Sequence, residues 1–235
     1  MDKRLKEILI RDPRKNIATI GFFENFPVKG YFFEGDSVLI YGTSDNFWTH
    51  LVSSSEKELR KLLEKHFHKT NYYYSVEDWM IPILLKFGKE DWVMTTNRYI
   101  LNSNISVEPA RAEIIKVDVS YASFIHENSD YKKFTSIEYI EQRLNAGISA
   151  GILVNNHLIA WGFTHDDGAL GFLHVLPEYR KRGYANEVVL SLIHQRRQAN
   201  KTIFCNIVPE NSVAKNFVTG LGFHFDRKVS WVKLK

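Results

Sequence analysis

Residues 173–185 read Leu-His-Val-Leu-Pro-Glu-Tyr-Arg-Lys-Arg-Gly-Tyr-Ala, and this stretch decides the fold. An apolar run ends at Pro177, three basic residues follow, and Gly183 stands where apolar spacing predicts a helix over 183–198. A helix N-terminus presents unpaired N–H groups and a positive dipole end, which favour an anion, and a glycine lets the backbone approach it. The stretch predicts an anion-binding turn. The alternative is a basic turn that binds nothing.

The segments around this turn predict alternating strands and helices. Turn-forming sequences, Asn155-Asn156 and Asp166-Asp167-Gly168, separate three consecutive strands before it. Ser136 is a candidate N-cap of a helix that precedes them. The strands predicted for this half are 112–117, 149–154, 157–164, 169–176, 202–208 and 223–234, and the helices are 119–127, 136–146, 183–198 and 211–219.

The N-terminal half predicts a similar order of elements. The predicted helices are 2–10, 56–67 and 76–87, and the predicted strands are 17–23, 29–34, 37–41, 47–52, 72–75 and 92–101. The polar stretch 102–109 has no periodicity and is the predicted boundary. No residue-level repeat relates the halves, so their common order indicates either a degenerate duplication or a chance likeness between α/β patterns.

The turn resembles the pyrophosphate-binding motif of the GNAT acyltransferase superfamily, Gln/Arg-x-x-Gly-x-Gly/Ala, which reads here Arg180-x-x-Gly183-x-Ala185. The second family signature is a loop Asn, a short helix and a Gly-Phe pair, matched by Asn211, Ala214, Phe217 and Gly222-Phe223. The resemblance covers about residues 112–235. Within the superfamily the sequence looks most like the glycine N-acyltransferase-like branch, which carries a degenerate copy of the domain before the active one.

The resemblance implies a mixed α/β (α+β) fold of GNAT type, with a mixed twisted central sheet flanked by helices. It implies a GNAT acyltransferase domain at 111–235 and a degenerate GNAT-like domain at 1–110. It also implies acetyl-CoA, or another acyl-CoA, in a cleft between two splayed central strands, with the pantetheine on one strand end and the pyrophosphate in the loop. The implied binding residues are Leu173, His174, Val175, Arg180, Lys181, Arg182, Gly183, Tyr184, Ala185, Asn186 and Asn211.

The sequence departs from the family where catalytic side chains are expected. Such enzymes hold an amine beside the thioester, and a general base and a general acid move protons. The place of the family's thiolate-protonating Tyr is Val218, and the place of its carboxylate base is Ala169. Gly171 and Leu173 share the strand face of Ala169 at period two, so this face offers no titratable group.

Three other residues are catalytic candidates, and each also has a structural interpretation. Asp167 lies in a hairpin turn and suits a turn residue. His174 points away from the face of Val175 and suits a packed histidine. Cys205 suits a buried, inert thiol, because a nucleophilic cysteine needs an activating base.

Composition limits the classes of protein that the chain could represent. It has 235 residues, of which 44% are hydrophobic, with one cysteine and no apolar stretch near the roughly 20 residues of a membrane span. A cytoplasmic protein without a membrane segment is therefore expected. His66 and His68 lack the i,i+4 spacing of a helical metal site, so no metal is predicted.

The charge balance is compatible with a small polyanionic ligand, with nucleic acid or with an ordinary solvated surface. Residues 1–110 carry 15 basic and 15 acidic side chains, whereas residues 111–235 carry 16 and 12, so the net +4 lies in the second half. The aromatic-rich N-terminal half is neutral, which argues against a nucleic-acid surface there.

We therefore expect an acyl-CoA-dependent N-acyltransferase, transferring acetyl to the amine of a small molecule or amino acid, as a monomer or homodimer. The alternative is a GNAT-fold protein that binds acyl-CoA as a sensor or partner and catalyses nothing. The missing groups at Ala169 and Val218 motivate that alternative.

Overall fold

A computed structural model describes all 235 residues, which form a mixed α/β fold of eight α-helices and ten strands. The helices are α1 (Lys3–Arg11), α2 (Ile17–Asn25), α3 (Glu56–His66), α4 (Ile81–Leu84), α5 (Ala122–Glu127), α6 (Ile137–Ala146), α7 (Tyr184–Gln198) and α8 (Ser212–Gly220). The strands are β1 (Gly30–Glu34), β2 (Ser37–Thr43), β3 (Phe47–Val52), β4 (Tyr72–Glu77), β5 (Glu90–Leu101), β6 (Ser149–Val154), β7 (His157–Thr164), β8 (Leu170–Val175), β9 (Ile203–Ile207) and β10 (His224–Leu234). No helix is both long enough and apolar enough to cross a membrane.

The chain divides into two compact units that are not contiguous halves. The first unit consists of Met1–Arg98, Ile207–Lys215 and Phe225–Lys235, and the second consists of Tyr99–Asn206 and Asn216–His224. The domain boundary at 110/111 remains a prediction.

The first unit contains a mixed sheet in the order β1-β2-β3-β4-β10-β5. Pairing is antiparallel from β1 to β3, parallel between β3 and β4, and antiparallel between β4 and β10. The amphipathic helix α3 begins at Ser55, whose side chain accepts the Glu58 N–H, and it buries its leucine stripe in the core of this unit. That core comprises Leu39, Tyr41, Leu51, Leu59, Leu62, Leu63, Tyr73, Val76, Met80, Ile83, Leu84, Val232 and Leu234.

A buried histidine lies within an aromatic cluster of the first unit. The ring centroid of His50 lies 4.6 Å from that of Phe22, 4.8 Å from that of Phe23 and 4.7 Å from that of Tyr74. Its Nδ1 is 3.2 Å from the Thr19 hydroxyl. Burial lowers the pKa of His50 to about 3, so the ring is neutral in the folded protein.

The second unit contains the strands in the order β9-β8-β7-β6. Asn155 and Asn156 both have positive φ, 50° and 61°, and form the tight turn that joins antiparallel β6 and β7. Helices α5 and α6 cover one face, where Trp161 and Phe163 join their core cluster. Helix α7 covers the opposite face, because a Cβ on Gly162 would meet side chains of α7.

Three sequence predictions of local structure were wrong. Residues 17–23 form part of α2 rather than a strand, since a short run that is apolar on all sides has no period to distinguish the two. Only Ile81–Leu84 of the helix predicted at 76–87 is α-helical, because β4 extends to Glu77 and a 3-10 turn follows. The strand predicted at 112–117 is a single bridge between Ile115 and Gly151. The predicted α/β class is confirmed.

Candidate functional site

Strands β8 and β9 diverge directly after their first pair of residues. They run parallel, and their register joins Leu170 to Cys205 alone. Beyond that pair, β8 continues to Val175 and bonds only to β7. The second unit therefore has an opening between two neighbouring strands, which begins at Gly171.

A β-bulge lies where β8 leaves β9. Phe172 and Leu173 lie opposite the single residue Gly162 of β7, and Phe172 has a φ of 52°. A bulge of this kind bends a strand and re-aims its side chains. Leu173, which is 37% exposed, lies on the bulge beside the opening.

The loop Arg180–Asn186 follows β8 and begins α7. Gly183 is the N-cap residue with a φ of 87°, a left-handed conformation that favours glycine. The N–H groups of Asn186 and Glu187 bond to the Gly183 carbonyl at 2.9 and 3.2 Å. The N–H groups from Lys181 to Ala185 donate to no protein atom, so the loop and the helix terminus offer a set of free donors.

The space around these donors is open and basic. A Cβ on Gly183 would meet no atom within 4 Å. Arg180 Nε donates to the Val175 carbonyl at 2.9 Å, which fixes its guanidinium at the end of β8. Arg182 donates to the Glu178 carbonyl at 3.1 Å, and its guanidinium lies 5.6 Å from the centre of the Tyr179 ring. The arrangement suits an anionic group.

An imidazole lies against β8 at the start of the opening. A Cβ on Gly171 would collide with the ring of His165, so this ring occupies the place of a side chain at residue 171. His165 Nδ1 lies 3.4 Å from the Tyr139 hydroxyl, which also accepts the Asp166 N–H at 3.3 Å. Burial, and then the charge of Arg143, lower the pKa of His165 to about 4.

The three catalytic candidates lie in different surroundings. Asp167 is buried and its Oδ1 accepts the Ala169 N–H at 2.9 Å, as in an Asx turn. His174 stacks on Trp161 at 4.7 Å, its Nε2 has no hydrogen-bond partner, and burial and then Arg180 lower its pKa. Burial raises the pKa of the Cys205 thiol to about 12, which leaves little thiolate for a nucleophilic role.

Two positions of the second signature, Asn211 and Val218, have structural roles in α8. Asn211, which belongs to the first unit, accepts the Ala214 N–H at 2.9 Å and so caps α8. Val218 is buried in that helix and carries no titratable group.

Sequence reasoning missed two polar residues beside the opening, His165 and Asn206. Asn206 follows Cys205 on β9, and its Oδ1 is buried without a hydrogen-bond partner. Neither residue belongs to a motif. The absent side chain of Gly171 was the available signal, because a glycine in a strand often marks the close approach of another group.

Comparisons with known proteins identify the fold. The family model described as FR47-like protein matches residues 145–232. No curated protein matches the chain. An X-ray structure of a Drosophila protein superposes with a TM-score of 0.79 at 17% identity, over 100% of this chain and 97% of that one.

Two further solved structures also superpose on the chain. A GCN5-related N-acetyltransferase from Kribbella flavida superposes with a TM-score of 0.60 at 12% identity, over 94% of each chain. A tandem GNAT protein from the clavulanic acid biosynthesis pathway superposes with a TM-score of 0.52 at 12% identity, over 93% of this chain and 87% of that one. These matches, with the opening between β8 and β9 and the loop before α7, show that the chain has the fold of the GNAT acetyltransferases.

Proposed function

We propose that the chain is an acyl-CoA-dependent N-acyltransferase, which transfers acetyl from acetyl-CoA to the amine of a small molecule or amino acid. The observation that carries the proposal is the row of free N–H donors from Lys181 to Ala185 at the end of a strand that parts from its neighbour. The donors suit a pyrophosphate, and the unpaired edge of β8 suits an extended arm with amide groups.

The residues present fit acyl-CoA. Lys181, Arg182 and Gly183 would hold the pyrophosphate, and the backbone of Leu173 to Val175 would hold the pantetheine. A bound acyl-CoA supplies a thioester, and the amine nitrogen bonds to its carbonyl carbon while the carbon–sulfur bond breaks. The proton that the amine loses passes, directly or through solvent, to the departing thiolate, so that the products are the amide and CoA with a free thiol. The residues of this chain bind acyl-CoA, orient its thioester toward the amine and exclude water from the reacting groups.

A sensor that binds acyl-CoA without chemistry is the second candidate. It is favoured by the absence of a titratable side chain at Ala169, Gly171, Leu173 and Val218. An enzyme should release free CoA with some amine, whereas a sensor should bind acyl-CoA and release none.

We also propose that the N-terminal part is a degenerate copy of the GNAT domain, as the resemblance to the glycine N-acyltransferase-like branch implies. The similar order of elements in the two parts supports this, as does the likeness to a protein described as a tandem GNAT.

Calorimetric titration with acetyl-CoA tests the proposal, with desulfo-CoA and ATP as controls. We expect acetyl-CoA and desulfo-CoA to bind and ATP to bind much more weakly, because ATP lacks the pantetheine arm. An amine screen with thiol detection then separates the enzyme from the sensor. Absence of acetyl-CoA binding at moderate salt would overturn both candidates.

A further inference from the structure

The ring of His174 makes no hydrogen bond with the protein. Its Nε2 is buried without a partner, and no protein atom donates to or accepts from its Nδ1. A neutral imidazole carries one N–H and one lone pair, and the protein uses neither of them here. Buried polar atoms without partners are rare in native proteins, because each forfeits its bonds to water. The ring can therefore bond to a group that the protein does not supply.

The strand register places His174 beside the opening between β8 and β9. His174 follows directly after the bulge at Phe172 and Leu173, on the part of β8 that bonds only to β7. One face of its ring stacks on Trp161 of β7, with the centroids 4.7 Å apart and the planes at 19°. Because β7 and the opening lie on opposite sides of β8, the other face of the ring is turned toward the opening.

The proposed course of acyl-CoA brings its sulfur to the same place. With the pyrophosphate in the loop before α7, the pantetheine arm runs back along β8 from Val175 toward Gly171, where the opening begins. The thioester at the far end of the arm then lies at the bulge, next to His174. This step rests on the proposed function.

Two charged groups act on the His174 ring. Arg180, which donates to the Val175 carbonyl at 2.9 Å, belongs to the loop after β8, and Asp130 belongs to the connection between α5 and α6. Burial and then Arg180 lower the pKa of His174, whereas Asp130 raises it by less. The ring is therefore neutral at neutral pH, and its lone pair can accept a proton.

We propose that His174 carries the proton that moves during acyl transfer. A ring nitrogen accepts the proton that the amine nitrogen loses as this nitrogen bonds to the carbonyl carbon. The imidazolium then gives the proton to the sulfur as the carbon–sulfur bond breaks, so CoA leaves as a free thiol and the ring is neutral again. One residue thus supplies the general base and the general acid for which Ala169 and Val218 carry no group.

Bromoacetyl-CoA tests the position of the ring without knowledge of the acceptor amine. Its bromine is on the carbon next to the thioester carbonyl, and a neutral imidazole nitrogen can bond to that carbon as bromide leaves. We expect the reagent to alkylate His174, as located by peptide mass spectrometry, and an excess of CoA to prevent the reaction. Cys205, the single cysteine, should stay unlabelled, because burial raises the pKa of its thiol to about 12.

Two variants separate the ring nitrogens from the packing of the ring. His174→Phe keeps an aromatic ring for the stack on Trp161, so it should bind CoA within a factor of about two of the unsubstituted protein's affinity, yet take up no label. His157→Gln, at the exposed start of β7, is the control and should be labelled at an unchanged rate. With any amine that the screen identifies, His174→Phe should lower kcat by about 100-fold or more.

The pH dependence of labelling reports whether the ring can accept a proton. At a saturating concentration of bromoacetyl-CoA, the rate constant should change by less than about twofold between pH 8 and pH 7, because the ring is already neutral at pH 7. A fall of about threefold or more over this range would show a protonated ring at neutral pH and would overturn the inference.

The outcomes distinguish this inference from the proposed function. The inference is wrong, and the proposed function stands, if CoA binds but His174 is not alkylated, or if His174→Phe transfers acetyl at the rate of the unsubstituted protein. Failure of both CoA and bromoacetyl-CoA to bind would overturn the proposed function together with the inference.

Discussion

At the scale of a single residue, Gly183 decides whether the loop before α7 can bind an anion. Its φ of 87° and the empty space around its Cβ position leave the neighbouring N–H groups open. Gly183→Glu places a carboxylate among these donors, and we expect acetyl-CoA binding to be lost. The left-handed conformation adds about 1 kcal/mol of strain, so the variant should still fold.

Gly220→Glu is the matched control for Gly183→Glu. Gly220 is exposed, and a Cβ added there would meet no atom within 4 Å. It lies at the end of α8, whereas Gly183 lies at the start of α7. Gly220→Glu changes the net charge by the same amount as Gly183→Glu. It should leave the acetyl-CoA dissociation constant within a factor of about two of the unsubstituted protein's value. Retained binding in Gly183→Glu, measured by calorimetry, would show that the phosphate-loop assignment is wrong.

Residues of the candidate site were predictable where backbone chemistry required them. Gly183, placed directly before a helix, has the left-handed conformation that favours glycine. Ser136 caps α6 as predicted, since its side chain accepts the Tyr139 N–H at 3.2 Å. His165 was not predictable, because its place beside Gly171 depends on the turn after β7 and on the bulge at Phe172. No local pattern encodes a bulge.

At the scale of elements, the packing of α2 on β2 depends on Gly42. A Cβ there would lie 2.5 Å from a ring carbon of Phe22 and 2.7 Å from one of Phe23. Gly42→Ala should therefore destabilise the protein by about 1–3 kcal/mol, because both rings are buried and must shift. Urea unfolding measures the change.

Gly30→Ala provides the control on the adjacent strand. Its Cβ would meet only a Tyr41 ring carbon at 3.6 Å, an ordinary contact. We expect a change below about 0.5 kcal/mol. Similar free energies of unfolding for the two variants would contradict the close approach of α2 to β2.

Elements with a clear period were predictable, and those that tertiary contacts decide were not. The leucine stripe predicts α3 to within a residue, and Asn155-Asn156 predicts the hairpin of β6 and β7. In contrast, α2 buries side chains on all sides, including Ala18, Phe22 and Phe23, so its apolar run is compatible with a strand.

At the scale of the whole molecule, two histidines link stability to pH, the buried His50 and the half-buried His165. The folded-state pKa is about 3 for His50 and about 4 for His165, both below the unfolded value of 6.5. The unfolded chain therefore binds more protons as the pH falls below 6.5, and the folded state loses relative stability. Each histidine should contribute about 1.4 kcal/mol per pH unit over most of this range.

Urea unfolding at pH 7, 6 and 5 measures this slope above the range where most carboxylates titrate. His50→Leu removes one of the two groups and should make the pH dependence shallower, whatever its effect on stability at pH 7. His68→Leu is the control, since His68 is exposed. An unchanged slope in His50→Leu would contradict the neutral, buried ring.

The position of β10 has a consequence for synthesis of the chain. This strand lies between β4 and β5 in the first unit, although about 120 residues of sequence separate it from β5. A ribosome makes residues 1–98 early, yet their sheet retains two unpaired inner edges until residues 225–235 emerge. Synthesis of the first unit therefore starts before that of the second unit and ends after it. The nascent chain must protect those edges while the second unit is translated.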